Sequence, residues 1–133
     1  MSAERAVYLD SSAIVKLCIS EAETSALRRH LARRRRWITS GLARTEVVRT
    51  VSAGGPSALQ AADDLLRRIT LVKISDRILR SAGTIGPPSL RSLDAIHLAT
   101  AVVLGDDVAR ICTYDRRMAE VATDLGFTVV APS

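Results

Sequence analysis

Aromatic residues are scarce in this sequence: Tyr8, Trp37, Tyr114 and Phe127 are the only four in 133 residues. RNA-recognition modules that stack splayed bases on aromatic platforms need more than that, so a nucleic-acid partner would be held through its backbone rather than its base faces. Cysteine is scarcer. Cys18 and Cys112 stand far apart with no Cys-x-x-Cys; neither a disulfide framework nor a zinc site is implied, and both read as small buried hydrophobes. No apolar run approaches the ~20 residues a membrane helix requires, and MSAERAV has no apolar signal-peptide core. The expectation is a cytoplasmic protein without membrane contact. Internal repeats and interdomain linkers are also missing. Lysine occurs only at Lys16 and Lys73, so seventeen of the nineteen basic residues are arginine.

What is present suits one domain over residues 1–133. At this size folding buries roughly two-thirds of the unfolded chain's surface, and a 47% hydrophobic share supplies the core. The net charge of +5 has two readings: coding bias toward arginine, or a surface whose guanidinium forks match phosphate oxygens. Arg33 to Arg36, with Arg28 and Arg29 before them, form the densest basic segment. They fit a solvated helix end or a contact for RNA or a partner. His30 lies among them and reads as solvated.

Short apolar strands alternate with helical patterns. Strands are expected at Ala6 to Asp10, Trp37 to Thr39, Leu71 to Ile74, Ala109 to Thr113 and Phe127 to Val130. Helices are expected over Ser12 to Cys18, Glu21 to Arg35, Leu42 to Ser52, Pro56 to Arg68, Asp76 to Ala82, Ser92 to Leu104 and Asp115 to Leu125. Gly54-Gly55 stops one helix and Pro56 opens the next at the favoured first position. Gly86-Pro87-Pro88 is the clearest loop. The alternation predicts an α/β fold with a mostly parallel sheet of about five strands and helices on both faces.

In such sheets, sites form beyond the carboxyl ends of the strands. Asp10 ends the first strand and Asp115 follows the fourth; each also has the position of a helix N-cap. Asp94 opens SLDAIHLATAVVLG, a helix apolar almost all round and therefore buried. An ionised carboxylate there needs a cap, an ion pair such as Arg91, or a metal. Glu46, in LARTEVVRT, falls at the edge of an apolar face and could equally pair with Arg49. Taken together the four say more. Two unit charges about 4 Å apart repel by roughly 4 kcal/mol at an effective dielectric of 20, so gathered carboxylates must hold protons or a cation. Hard oxygen ligands select Mg²⁺ or Mn²⁺, and such an ion assists phosphodiester hydrolysis.

YLDSSAIVKL, TEVV, LDAIHLATA and TYDRRMAEVATDLGF, in that order, resemble the PIN-domain ribonucleases, in particular VapC-type toxins of type II toxin–antitoxin pairs. The resemblance runs from Val7 to Pro132. It implies a PIN-like three-layer α/β/α sandwich and a Mg²⁺-dependent endoribonuclease leaving 5′-phosphate and 3′-hydroxyl ends, a toxin that inhibits translation. Mn²⁺ is expected to substitute. On that resemblance the metal-site acids are Asp10, Glu46, Asp94 and Asp115. Thr113 matches a hydroxyl that helps hold the fourth acid, and Ser11 the hydroxyl after the first. The implied partners are an RNA substrate, a small antitoxin covering the active site, and a second copy of the chain in a homodimer. Some relatives carry a further acid where this chain has His97, which reads as a packed or hydrogen-bonding residue and leaves open one metal or two.

Lys16, Arg91, Arg116 and Arg117 lie near the expected cleft and are candidates for substrate phosphates. Other classes fit less well. A signalling receiver needs a lysine near the end of its fifth strand, and a haloacid-dehalogenase-type phosphatase needs Asp-x-Asp where this chain has Asp10-Ser11-Ser12. A catalytically idle partner-binding module is the remaining alternative.

Overall fold

The computed structural model describes residues 4–133. Five strands form one sheet: β1 (Ala6–Leu9), β2 (Trp37–Ser40), β3 (Thr70–Val72), β4 (Val108–Cys112) and β5 (Val129–Val130), ordered β3-β2-β1-β4-β5. All four pairings are parallel. The helices are α1 (Ser11–Cys18), α2 (Thr24–Ala32), α3 (Ala43–Val51), α4 (Pro56–Arg68), α5 (Asp76–Ala82), α6 (Ser92–Leu104) and α7 (Arg116–Asp124). Among the described residues, no helix is long and apolar enough to cross a membrane.

β1 is buried along its whole length, as a central strand covered on both faces must be. Its side chains alternate between two cores. Val7 and Leu9 join Ile14, Leu27, Leu31, Val47, Val51 and Ala62, from α1 to α4. Ala6 and Tyr8 join Leu98, Met118 and Val121, from α6 and α7. The period of two along one strand thus divides the apolar residues between the layers of an α/β/α sandwich. β1 leads through α1 and α2 to β2 on one side, whereas β4 pairs on the other. The order reverses between β1 and β4, and in open parallel sheets a crevice opens outside the strand ends at that point.

Three of the boundaries that depart from expectation have an identifiable hydrogen-bond cause. α2 begins at Thr24 rather than Glu21: the Thr24 hydroxyl donates to the Lys16 carbonyl and accepts the Glu21 N–H, holding the preceding residues in a turn. It ends at Ala32, where the Arg34 guanidinium takes the His30 carbonyl. β5 starts at Val129 rather than Phe127. The Phe127 N–H bonds the Ala122 carbonyl and the Gly126 N–H bonds that of Thr123, with Gly126 at φ 94°. That paired closure of α7 requires the left-handed glycine and uses up Phe127.

Leu98 and Leu93 on α6 separate core from surface. Leu98 is fully buried and Leu93 is 47% exposed. Leu98→Ala is expected to lower unfolding free energy by about 2–5 kcal/mol, and Leu93→Ala by no more than about 0.5 kcal/mol, measured by urea denaturation.

Candidate functional site

Asp10 and Asp115 stand just beyond the carboxyl ends of β1 and β4, and two further elements, α3 and α6, carry Glu46 and Asp94. Asp10 follows β1 and caps α1: its Oδ1 accepts the Ala13 N–H at 3.0 Å and the Ser12 hydroxyl at 2.6 Å. Its Oδ2 accepts the Thr113 hydroxyl. Burial pushes the Asp10 carboxyl above its ordinary pKa, against the opposing effect of these hydrogen bonds. Asp115 follows β4 and caps α7, its Oδ1 accepting the Met118 N–H at 3.0 Å. Capping and membership of the site are thus the same placement, because both strands end where a helix begins.

Thr113 differs from its expected role. Its hydroxyl accepts the Asp115 backbone N–H at 3.1 Å and donates to the carboxylate of Asp10. It therefore holds the side chain of the first acid and only the backbone of the fourth. Ser11 likewise serves another acid than its neighbour, donating to Glu46 Oε1 at 2.6 Å. The hydroxyl on Asp10 that sequence reasoning missed is Ser12, which also accepts the Tyr114 N–H at 3.1 Å. The signal was present: a serine two residues after a strand-end aspartate can reach back to it.

Asp94 lies in the first turn of α6, half-buried. It forms no ion pair with Arg91, whose charge only offsets its shift in part. Burial raises its pKa, the Asp115 charge raises it further, and the Asp10 charge adds to both. Glu46 does not pair with Arg49. Its Oε1 accepts from Ser11 and, at 2.7 Å, from His97 Nε2. Burial works upward on Glu46, but the hydrogen bonds from His97 and Ser11 outweigh it and hold the carboxylate below its ordinary range.

His97 is the hinge of a buried relay. Its Nδ1 lies 2.7 Å from the Tyr8 hydroxyl, and the two rings meet edge to face at 82°. Glu46 is an acceptor, so Nε2 carries a hydrogen, and Nδ1 shares its hydrogen bond with the Tyr8 hydroxyl. Burial holds the Tyr8 pKa far above its ordinary value, which keeps that hydroxyl a donor. A residue from the central strand thus orients a histidine, and the histidine orients an acid.

Among the described residues, no three Asp, Glu, His or Cys side chains stand together at the separations of a metal shell. Asp10 and Glu46 direct oxygens at hydroxyl, amide and imidazole donors, while Asp94 and Asp115 feel one another's charge. The donor set still suits a hard cation: every acid offers oxygen, and Cys112 is buried with its thiol pushed up to about 12. Asp94 carries charge that no ion pair among the described residues offsets. Protonation or a cation must relieve it.

Around the acids, Arg91, Arg116 and Arg117 are exposed. Lys16 is not free in the same way. It bonds Glu23 at 2.8 Å and Glu21 at 3.1 Å and lies 4.7 Å above the Tyr114 ring. A hollow of about 370 Å³ opens beside it, lined by Ser11, Ser12, Glu46, Thr50 and Tyr114 among others. The larger hollow between α5 and α6 has no titratable side chain in its lining and does not meet the acids.

The PIN-domain family model matches residues 7–124. The chain belongs to the PIN-domain family. This PIN domain is 51% identical over 128 residues to Ribonuclease VapC46 of Mycobacterium tuberculosis, covering 96% of this chain and 98% of that one. It is 44% identical over 131 residues to Ribonuclease VapC35 of the same species, covering 95% and 96%. Among solved structures, the sarcin–ricin-loop-cleaving toxin VapC20 of M. tuberculosis superposes with a TM-score of 0.72 at 18% identity, covering 95% of this chain and 99% of that one. A toxin–antitoxin complex from Klebsiella pneumoniae gives 0.73 at 19% identity, with 96% and 98% covered. At those identities the structures establish a shared PIN fold.

Two stability measurements test this geometry. The folded pKa of Asp94 lies above its ordinary 3.8. Ionisation therefore opposes folding: the penalty is full above the folded value and vanishes as pH falls below about 3.8. Asp94→Asn is expected to raise the Tm of the metal-free protein at pH 7 by about 2–4 °C and to lose that gain by about pH 3. His97→Ala leaves the Tyr8 hydroxyl and Glu46 Oε1 short of a partner and opens a cavity. It is expected to cost about 2–4 kcal/mol in urea denaturation, and His97→Gln less.

Proposed function

We propose that this PIN domain is a divalent-metal-dependent endoribonuclease, the toxin half of a VapBC-type pair in the cytoplasm, acting against translation. The observation that supports the reading is the position of Asp10 and Asp115 just after β1 and β4, with Asp94 on α6 held above its ordinary pKa by burial and then by the charges of Asp115 and Asp10. The 51% identity to a chain named Ribonuclease VapC46 supports the same reading over nearly the whole length. Asp10, Asp94 and Asp115 are the residues that would hold Mg²⁺ or Mn²⁺, with Glu46 ligating directly or through water. A bound divalent ion supplies a Lewis acid for the phosphoryl oxygen and the counter-charge that lets the acids ionise together.

The remaining work belongs to the chain's own groups. Ser12, Thr113 and the Ala13 N–H fix the Asp10 carboxylate, and the caps on α1 and α7 fix the backbone from which Asp10 and Asp115 project. Glu46 Oε1 is pinned by Ser11 and His97, which leaves Oε2 to accept a proton from the attacking water. Water adds to phosphorus and gives its proton to Glu46, the bond to the 3′ oxygen breaks, and that oxygen takes a proton from solvent to leave as a hydroxyl, with the phosphate retained on the 5′ end. Arg91, Arg116 and Arg117, exposed near the acids, are placed to bind the flanking phosphates as bidentate partners. Lys16, paired twice with glutamate, would act there only by exchanging those partners. An antitoxin covering this acidic crevice, and a homodimer, complete the proposed assembly.

Single-stranded RNA incubated with the protein is expected to be cut with Mg²⁺ or Mn²⁺ and to stay intact with EDTA. Asp94→Asn and Asp10→Asn are expected to lower the rate by at least ~10²-fold, the scale of losing a charge-stabilising group, with circular dichroism unchanged. Equal cutting by parent and variants would overturn the site. Intact RNA across several divalent ions would leave the partner-binding module instead.

A further inference from the structure

The opposite end of the sheet carries the reverse charge. Arg5, Arg34 and Arg110 line a hollow of about 340 Å³ with Glu4, Val7 and Ala109, at the starts of β1 and β4. β1 and β4 run four and five residues from there to the acids, a separation of roughly 15 Å at about 3.3 Å per residue. The hollow is therefore distinct from the acidic crevice.

None of these three arginines pairs with a carboxylate among the described residues. Arg5 donates to the Asp106 and Val108 carbonyls at 2.6 and 2.9 Å, and Arg34 to the His30 carbonyl. The neighbouring acids are engaged elsewhere. Asp107 takes both forks of Arg36, at 2.7 and 2.9 Å, and Glu4 accepts the Arg35 N–H at 3.2 Å. Arg110 has a buried Nε with no partner, and His30 Nε2, under the influence of the same arginines, has none either. Burial and the charges of Arg34 and Arg5 hold the Arg110 pKa down. Three guanidiniums around one hollow face a single carboxylate in its lining, Glu4, and so leave an excess of positive charge there.

We propose that this hollow binds a phosphoryl group, held by Arg5, Arg34 and Arg110 at the end of the sheet away from the acids. A tetrahedral oxyanion offers oxygens to several forks at once, and 340 Å³ is at the lower end of the ~300–1,000 Å³ of small-ligand pockets. The phosphoryl group belongs either to a free phosphate compound or to a nucleic-acid backbone. The inference stands apart from the nuclease reading, since no acid of the crevice takes part.

The experiment compares inorganic phosphate with chloride at matched ionic strength on the full chain in EDTA, read by Tm. Phosphate at about ten times its Kd is expected to add about 3–6 °C. Arg34→Gln and Arg110→Gln should each lose at least half of the gain, while Asp94→Asn keeps it. A phosphate effect no larger than that of chloride, or one retained in both arginine variants, would overturn the proposal. So would a gain that Asp94→Asn abolishes. A second arm measures single-stranded RNA affinity against salt in the Asp94→Asn background. A slope that falls by about 0.7 on adding Arg110→Gln assigns the group to the RNA backbone; an unchanged slope, with the phosphate response lost, assigns it to a free phosphate compound.

Discussion

Crowding of negative charge at the carboxyl end of β1 and β4 is the constraint around which the surrounding structure is organised. Asp10 is almost wholly buried, and an ionised carboxylate in that setting is tolerable only with donors on both oxygens. Ser12, the Ala13 N–H and Thr113 provide them. Glu46 receives Ser11 and His97 on one oxygen alone, Oε1. Asp94 has no such donor among the described residues, and burial and the Asp115 charge raise its pKa. The unsatisfied acid is the one on the most apolar helix, where no donor comes near and an external positive charge is most effective. Stability is given up locally at Asp94, where an ionised carboxylate is held without a paired cation among the described residues.

The fold was legible because its signals were local. Pro56, the Gly86-Pro87-Pro88 loop and the apolar α6 pattern fixed elements whose observed limits, Pro56–Arg68 and Ser92–Leu104, coincide with those expected. The alternation of strand and helix was sufficient for a parallel sheet. Boundaries went astray where a distant or cooperative hydrogen bond decided them, as Thr24 did for α2 and Gly126 for α7. Asp10, Asp94 and Asp115 stood out from their positions at strand ends and on an apolar helix, whereas Glu46 joined them only through the family resemblance. Their supporting partners were less visible. Thr113 is 103 residues from Asp10 and His97 is 51 from Glu46, separations over which no spacing rule operates. His30 was expected in solvent, yet its Nε2 is buried beside Arg34 and Arg110; a run of arginines does not reveal which of them fold inward.

Charge is therefore polarised along the strands, with acids at one end of β1 and β4 and guanidiniums at the other. Parallel strands make this possible, because every strand presents its start at one edge and its finish at the opposite edge. The net charge of +5 hides that division. A polyanion approaching the molecule meets basic groups at both extremities and a negative crevice between exposed arginines at one of them.

The strand order also governs when the protein comes to exist as a working unit. β1, the centre of the sheet, is made first, but its neighbour β4 is encoded a hundred residues later, and the hydroxyl that locks Asp10 arrives with it. A nascent chain emerging from the ribosome amino end first can pair β1 with β2 and β3 early, yet Asp10 stays without its Thr113 donor until β4 has been made. The centre of the sheet is thus laid down well before the last hydrogen bond on its terminal carboxylate can form.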